Sequence, residues 1–264
     1  MINANLSLIM PTRNVQGMVS KILNGISELQ WKNIHKLVII DNGSSDNTIS
    51  EVHSFITNTT YESKIHLHEN GKDLGYGFSI KWGLNFLVQD LKNEFIGIIH
   101  ADDQFSSKAL IDLYFSNLSV EHHSVFLVNR KRDPLATHNF RQKLRNLGNF
   151  IISFIGRFST GSKLRDFNTP FFLISNTLSK RLLSEYNFGD DIFFHPRINM
   201  IFASQFYCNA SECNWKRASK TTRIPITAMG FQILFMYVKF GVCYRFLKYD
   251  AKKSYGVATH LLIS

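Results

Sequence analysis

Acidic residues are scarce in this sequence, cysteines are scarcer still, and an uninterrupted apolar run long enough to cross a bilayer is missing. Asp and Glu number 20 against 30 Lys and Arg, which leaves a formal net charge of +10. That surplus implies an anionic partner: nucleic acid, nucleotide phosphates or an acidic membrane surface. No basic stripe interleaved with stacking aromatics is present, so nucleic acid is not the expected partner. The three cysteines, Cys208, Cys213 and Cys243, are too few and too scattered for a disulfide framework or a zinc site, and favour a reducing compartment. From Ile224 to Leu247 the chain is strongly apolar, but Pro225, Gln232, Lys239 and Arg245 interrupt it before the roughly 20 residues that a spanning helix needs. An interfacial helix is the better expectation there. The N-terminus reaches a strand almost at once, without a basic segment leading into a long apolar core. No signal peptide is expected, and the expected location is the cytoplasm.

What is there is enough apolar material for a sizeable core, 44% of 264 residues, in one large domain or one domain with an appendage. Strand-like runs start at Leu6, Leu37, Ile65, Phe95 and Val125, at intervals of about 30 residues, the length of a β-α crossover unit, and no sequence repeat accompanies them. Between them, helical spacing runs from Val15 to Glu28, through Val52 and Phe55 with Asp46 as N-cap, from Phe78 to Leu87 and from Ser107 to Phe115. This pattern predicts an α/β fold with a doubly wound, mostly parallel sheet whose loops gather on one edge, where Asn14, Asp41, Asp102 and Arg130 would meet. In the second half, Phe140–Phe158 reads as an amphipathic helix with a basic start and Phe171–Ile174 as a strand. Thr177–Tyr186 and Phe193–Ser204 read as helices.

The stretch with the most chemistry is Phe95-Ile96-Gly97-Ile98-Ile99-His100-Ala101-Asp102-Asp103-Gln104. A buried strand that ends in carboxylates sits where open α/β sheets bind ligands, and suits a divalent cation held against phosphate oxygens. The plainer reading is that Asp102 and Asp103 cap the following helix.

Pro11-Thr12-Arg13-Asn14, Asp41-Asn42-Gly43-Ser44-Ser45-Asp46, Gly75-Tyr76-Gly77, His100-Ala101-Asp102-Asp103-Gln104 and Arg217-Ala218-Ser219-Lys220 together resemble the family-2 glycosyltransferases, over roughly Leu6 to Arg223. The branch they resemble most is the dolichyl- or polyprenyl-phosphate sugar (mannose or glucose) synthases. The resemblance implies a Rossmann-like, GT-A type domain over residues 1–223, with an amphipathic, membrane-associating segment over residues 224–264. It implies an inverting transfer from a GDP- or UDP-linked sugar, with Mg²⁺ or Mn²⁺, to a polyprenyl phosphate at the cytoplasmic membrane face.

By the same resemblance Asp102 and Gln104 are the metal ligands. His100 replaces the family's first aspartate and either ligates a softer ion such as Mn²⁺, binds phosphate, or packs. Asp41 would touch the base or ribose, Pro11, Thr12 and Asn14 would line the base pocket, and Gly75 and Gly77 would let the backbone approach the donor. Asp41 and the glycines are equally at home in ordinary turns. Arg130, with Arg141 or Arg145, resembles residues that fork onto the acceptor phosphate. Asp166 would orient the acceptor or the metal shell. Arg217 (or Lys216), Ser219 and Lys220 resemble a loop that closes on the pyrophosphate, although the family's glycine is missing. A phosphate acceptor needs no general base; a sugar hydroxyl in surface-polysaccharide assembly does, and Asp190 or Asp191 would serve it. A catalytically silent nucleotide or membrane-surface binder is the reading from another class.

Overall fold

The computed structural model describes residues 5–90, 94–102, 105–118, 124–131, 140–186, 188–190, 194–214 and 226–241. In chain order these form β1 (Leu6–Thr12), α1 (Val19–Asn24), α2 (Glu28–Asn33), β2 (Ile34–Asp41), α3 (Thr48–Asn58), β3 (Ile65–Glu69), α4 (Tyr76–Leu87), β4 (Phe95–Ile98) and α5 (Ser107–Ser116). They continue as β5 (Ser124–Lys131), α6 (Phe140–Thr160), β6 (Phe172–Ser175), α7 (Asn176–Glu185), α8 (Phe194–Gln205), β7 (Tyr207–Asn214) and α9 (Ile226–Gly241). Among the described residues the seven strands make one sheet, ordered β3-β2-β1-β4-β6-β5-β7.

The first four strands are parallel neighbours, as their spacing predicts. β6 is antiparallel to both β4 and β5, and inserts between them. The mostly parallel expectation therefore holds with one reversed strand, and β7, absent from the sequence reading, adds in parallel to β5 at the edge. Its run Tyr-Cys-Asn-Ala-Ser-Glu-Cys-Asn has the residues that strands usually lack, and only backbone pairing reveals it.

Both faces of the sheet are covered, and alternation along each strand assigns the residues. Leu8, Met10, Leu37 and Ile39 pack under α1, α3 and α5, while Ile9, Val38, Ile40 and Ile98 pack under α4 and α8. Gly83 lets α4 lie close to the strands: a Cβ there would sit 2.9 Å from Ile9 and 3.0 Å from Ile40. The single helix expected from Val15 to Glu28 is instead two. α1 closes at Gly25, and Ser27 opens α2 with a capping box, its hydroxyl accepting from the Gln30 amide while the Gln30 side chain accepts from the Ser27 amide. The Asp46 carboxylate accepts from the Thr48 amide at 3.0 Å, so it serves α3 from one residue before the N-cap, Asn47.

α6 and α9 pack against each other outside the α8 layer. Tyr237 of α9 is fully buried and donates from its hydroxyl to the Phe167 carbonyl at 3.1 Å. Outward, α6 presents Leu147, Phe150, Ile151, Phe154 and Phe158, and α9 presents Phe231, Phe235 and Val238, each exposed. Among the described residues no helix is long and apolar enough to cross a membrane.

Candidate active site

Three loops interlock beyond the C-terminal ends of β1, β2 and β3. Thr12 and Asp41 are register partners, and the Thr12 hydroxyl lies 3.3 Å from the Ile40 carbonyl and 3.4 Å from Asp41 Oδ1. Asp41 is 1% exposed, which an ionised carboxylate tolerates only with donors around it; the Ser44 amide (2.8 Å) and hydroxyl (2.5 Å) supply them. Asn42 ties the glycine-rich loop down, donating to Asp73 at 2.7 Å and accepting from Asn70 and the Leu74 amide, both at 3.0 Å. Asn14 takes φ = 50°, the left-handed region, and accepts from the Ser45 amide at 2.8 Å. Arg13 pairs with Asp73. At Gly43, with φ = 72°, a Cβ would lie 2.6 Å from Lys72 Cα, so no other residue fits between these loops without displacing one.

On the other side of β1 the groups are fewer and more apolar in setting. Gly77 is approached by the chain's own backbone: its amide donates to the Asp190 carbonyl at 2.9 Å, and a Cβ there would meet Gly189 and Asp190 at 2.9 Å. The Asp190 carboxylate meets Lys81 at 2.7 Å. His100, just past β4, has Nε2 3.1 Å from the Tyr76 hydroxyl and a further hydrogen bond to the Pro170 backbone. A carbonyl only accepts, so the imidazole N–H goes to Pro170, and the nitrogen facing Tyr76 accepts from the phenol. Burial pulls His100 below the ordinary imidazole range, with the Asp102 charge and the Pro170 bond opposing. The same burial, aided by Asp102, pushes the Tyr76 phenol far up.

Asp102 itself is half-buried beside this pair. It is not the cap of the following helix, because the Ser106 hydroxyl caps α5 by accepting from the Ala109 amide at 3.3 Å. Arg130, near the end of β5, forks onto Asp166 with Nε–Oδ2 2.7 Å and Nη2–Oδ1 2.9 Å. Their side chains are 18% and 13% exposed. Burial alone would lower the guanidinium pKa; the Asp166 charge and hydrogen bonds outweigh it and hold it above its ordinary value.

The predicted residues thus fall into two groups on one edge: Pro11, Thr12, Asn14, Asp41 and Gly75 over β1 to β3, and Gly77, His100, Asp102 and Arg130 over β4 to β5. Gln104, Asp191, Arg217, Ser219 and Lys220 lie outside the described residues, and of Arg145 only the backbone is described. Two members of the site escape the sequence reading. Tyr76 lies inside a motif read for its glycines. His195 lies between Phe194 and Pro196 at the start of α8, a setting that signals packing rather than chemistry.

As to a metal, among the described residues no three His, Cys, Asp or Glu side chains cluster tightly enough to hold one. Asp102, which does not cap α5, is an oxygen donor of the kind a hard cation takes.

The model for glycosyl transferase family 2 matches residues 7–184, more than half of the chain, and the chain belongs to that family. It is a glycosyltransferase, with the GT-A-like arrangement of strands and helices. No curated protein matches the sequence. Among solved structures, glucosyl-3-phosphoglycerate synthase from Mycobacterium tuberculosis is similar in three states. In complex with Mn²⁺, UDP-glucose and phosphoglyceric acid it gives a TM-score of 0.63 at 14% identity, covering 90% of this chain and 80% of that one. In complex with UDP it gives 0.62 at 13%, with the same coverage. With Mn²⁺, UDP and glucosyl-3-phosphoglycerate it gives 0.60 at 12%, covering 90% and 79%. At these identities the likeness concerns the fold.

Proposed function

We propose that this glycosyltransferase moves a sugar, with inversion, from a GDP- or UDP-linked donor to a polyprenyl phosphate at an anionic membrane surface. The observation that carries the reading is the apolar outer face of α6 and α9. Leu147, Phe150, Ile151, Phe154 and Phe158 repeat at helical spacing on one side of α6, and Phe231, Phe235 and Val238 do so on α9. Two adjacent helices showing eight large apolar side chains to solvent describe a surface with a counterpart, and Arg157, Lys239 and the basic residues beyond Gly241 (Arg245, Lys248, Lys252, Lys253) suit an anionic lipid headgroup layer. The face is joined to the site. The segment 164–170 beneath it receives Tyr237 at the Phe167 carbonyl and carries both Asp166, which holds Arg130, and Pro170, which holds His100.

In this reading the loops over β1 to β3 take the nucleotide, and Arg130 with Arg145 faces the acceptor phosphate. Asp102 and Gln104 would hold Mg²⁺ or Mn²⁺, as the similar structures hold Mn²⁺ with UDP. Bound there, the cation supplies neutralisation of the charge that builds on the departing diphosphate. An ionised acceptor phosphate brings its own nucleophilic oxygen, so no side chain has to take a proton from it. Arg217, Ser219 and Lys220 would close over the pyrophosphate, and His100, with its nitrogens spoken for by Tyr76 and Pro170, would shape the floor of the site.

The test is a panel of nucleotide sugars incubated with the full chain, metal and polyprenyl phosphate, scored for label in a butanol-extractable lipid. Transfer that occurs only when a glycan is supplied overturns the lipid acceptor. That outcome would favour a second reading, transfer to a sugar hydroxyl with Asp190 or Asp191 as base. One feature supports it: the shallow groove lined by Phe78, Lys81, Trp82, Asn85, Phe86 and Asp190, whose aromatic faces and amide suit a sugar ring and which starts one residue from Asp191.

A further inference from the structure

His195 is the one histidine among the described residues whose two ring nitrogens are both shut off from solvent and both without a hydrogen-bond partner. Its ring lies 4.8 Å from that of Tyr76, 6.1 Å from that of His100 and 5.2 Å, edge-on, from Phe194. Tyr76 and His100 are already bonded to each other, so they do not satisfy it. Leaving a buried N–H and a buried lone pair unmade costs about 1–3 kcal/mol for each group, so an imidazole with both nitrogens unpaired calls for a reason, of which a catalytic or binding role beside the site is one.

Three chemistries are open to a neutral imidazole: metal ligand, general base, hydrogen-bond donor. The neighbouring charge chooses. Burial, His100 and the Arg130 guanidinium all disfavour a proton on the ring, which makes it a poor base, and the same guanidinium repels a metal cation from that side. An oxyanion is favoured by the Arg130 guanidinium and takes a hydrogen bond from the neutral ring's own N–H. We infer that His195 is an anion-binding group of the active site, its N–H donating to a phosphate oxygen of a bound substrate on the Arg130 side of the site.

This rests on the chain using phosphate-bearing substrates. Phosphate arrives from two sources, the donor's diphosphate and the acceptor, and the test separates them. The full chain is titrated with UDP and with GDP in the presence of Mg²⁺, and separately with farnesyl phosphate as a short lipid phosphate, for wild type, His195→Phe and His195→Gln. The phenyl ring fills the same space without a donor, whereas the glutamine amide presents an N–H near the place of Nε2. The expected result is that His195→Phe weakens one class of phosphate ligand roughly tenfold to a hundredfold. Its melting temperature should be unchanged or higher, since an unsatisfied polar group has been removed, and His195→Gln should recover most of the affinity. In protein labelled with ¹⁵N-histidine, the imidazole signals that vanish in the Phe variant should shift when that ligand binds. Loss confined to the nucleotides assigns the oxygen to the donor; loss confined to farnesyl phosphate assigns it to the acceptor. Wild-type affinity of His195→Phe for every probe overturns the inference, as does a variant pair that melts early while binding normally. Failure of wild type to bind farnesyl phosphate sinks the lipid acceptor alone and leaves His195 to the nucleotide arm.

Discussion

The two halves of the candidate edge handle buried polarity differently. Over β1 to β3 most side chains complete one another: Asp41 is satisfied by Ser44, Asn42 by Asp73, Asn70 and Leu74, and Asn14 by Ser45, with Asn70 Oδ1 the buried atom left over. Over β4 to β5 a tyrosine, two imidazoles and a buried ion pair stand among Phe171 and Phe194, and His195 is left unmatched. Loops tied together by this many hydrogen bonds hold their shape before anything binds. A half with open valence is tuned by what enters it. The substitutions that separate the halves differ accordingly.

The largest effect is expected at the boundary. Asp102→Asn keeps the shape and removes the charge, and turnover of nucleotide sugar should fall on the order of a hundred- to a thousandfold with little change in unfolding free energy. Metal-titrated activity and denaturant melts check this together. A variant with undiminished biological activity would favour the catalytically silent binder.

Next comes the buried pair of the second half. Asp166→Ala leaves Arg130 charged and largely buried, and should cost about 3–5 kcal/mol in chemical denaturation. Removing both partners with an apolar pair such as Arg130→Met with Asp166→Leu should cost much less than the single change, because no uncompensated charge remains. If single and double variants lose the same stability, the uncompensated charge is not what sets the cost.

In the first half the comparable break is made by a methyl group. Gly43→Ala places a Cβ against Lys72 and asks alanine for φ = 72°, so it should destabilise by roughly 1–3 kcal/mol and loosen nucleotide binding with it. Gly71→Ala, also at positive φ but with open space around its Cβ, is the control for backbone strain without the clash. Equal losses in both would mean that strain alone, not the interlocking of the loops, sets the cost.

The halves also differed in how far the sequence exposed them. Parallel β-α units repeat with a period, and period is visible in one sequence, so Leu6, Leu37, Ile65 and Phe95 mark their strands and Asp41 and Asp102 mark the edge at which open α/β sheets bind ligands. The second half has no period. Phe172–Ser175 reads as a strand, but nothing in four residues says that it runs backwards between β4 and β5, and β7 is too polar to read as a strand at all. The site followed the same divide. Carboxylates at strand ends advertise themselves, whereas His195 acquires meaning only from Tyr76, His100 and Arg130, which approach it from three other elements. Val15–Glu28 misled for a local reason: the apolar spacing continues across Gly25, and only the capping box at Ser27 resets the helix.

The smallest effect tests whether the polar economy of the first half extends to its outer edge. On β3, His66 stacks on Phe86 at 4.3 Å and on Trp82 at 5.9 Å, with His68 stacked on Trp82 at 3.7 Å and Lys36 over the Phe86 ring. Burial, reinforced by the His68 and Lys36 charges, lowers the His66 pKa below the ordinary 6.5. The unfolded chain therefore binds the proton more readily than the folded one. The stability that the neutral ring contributes is fully present above pH 6.5 and is lost as the pH falls through the depressed folded value. His66→Phe keeps the stack and removes the titration, so the variant's melting temperature should fall less than wild type's between pH 7 and pH 5. A parallel decline in the two proteins would place the acid sensitivity elsewhere, with the ligand-facing half as the next region to titrate.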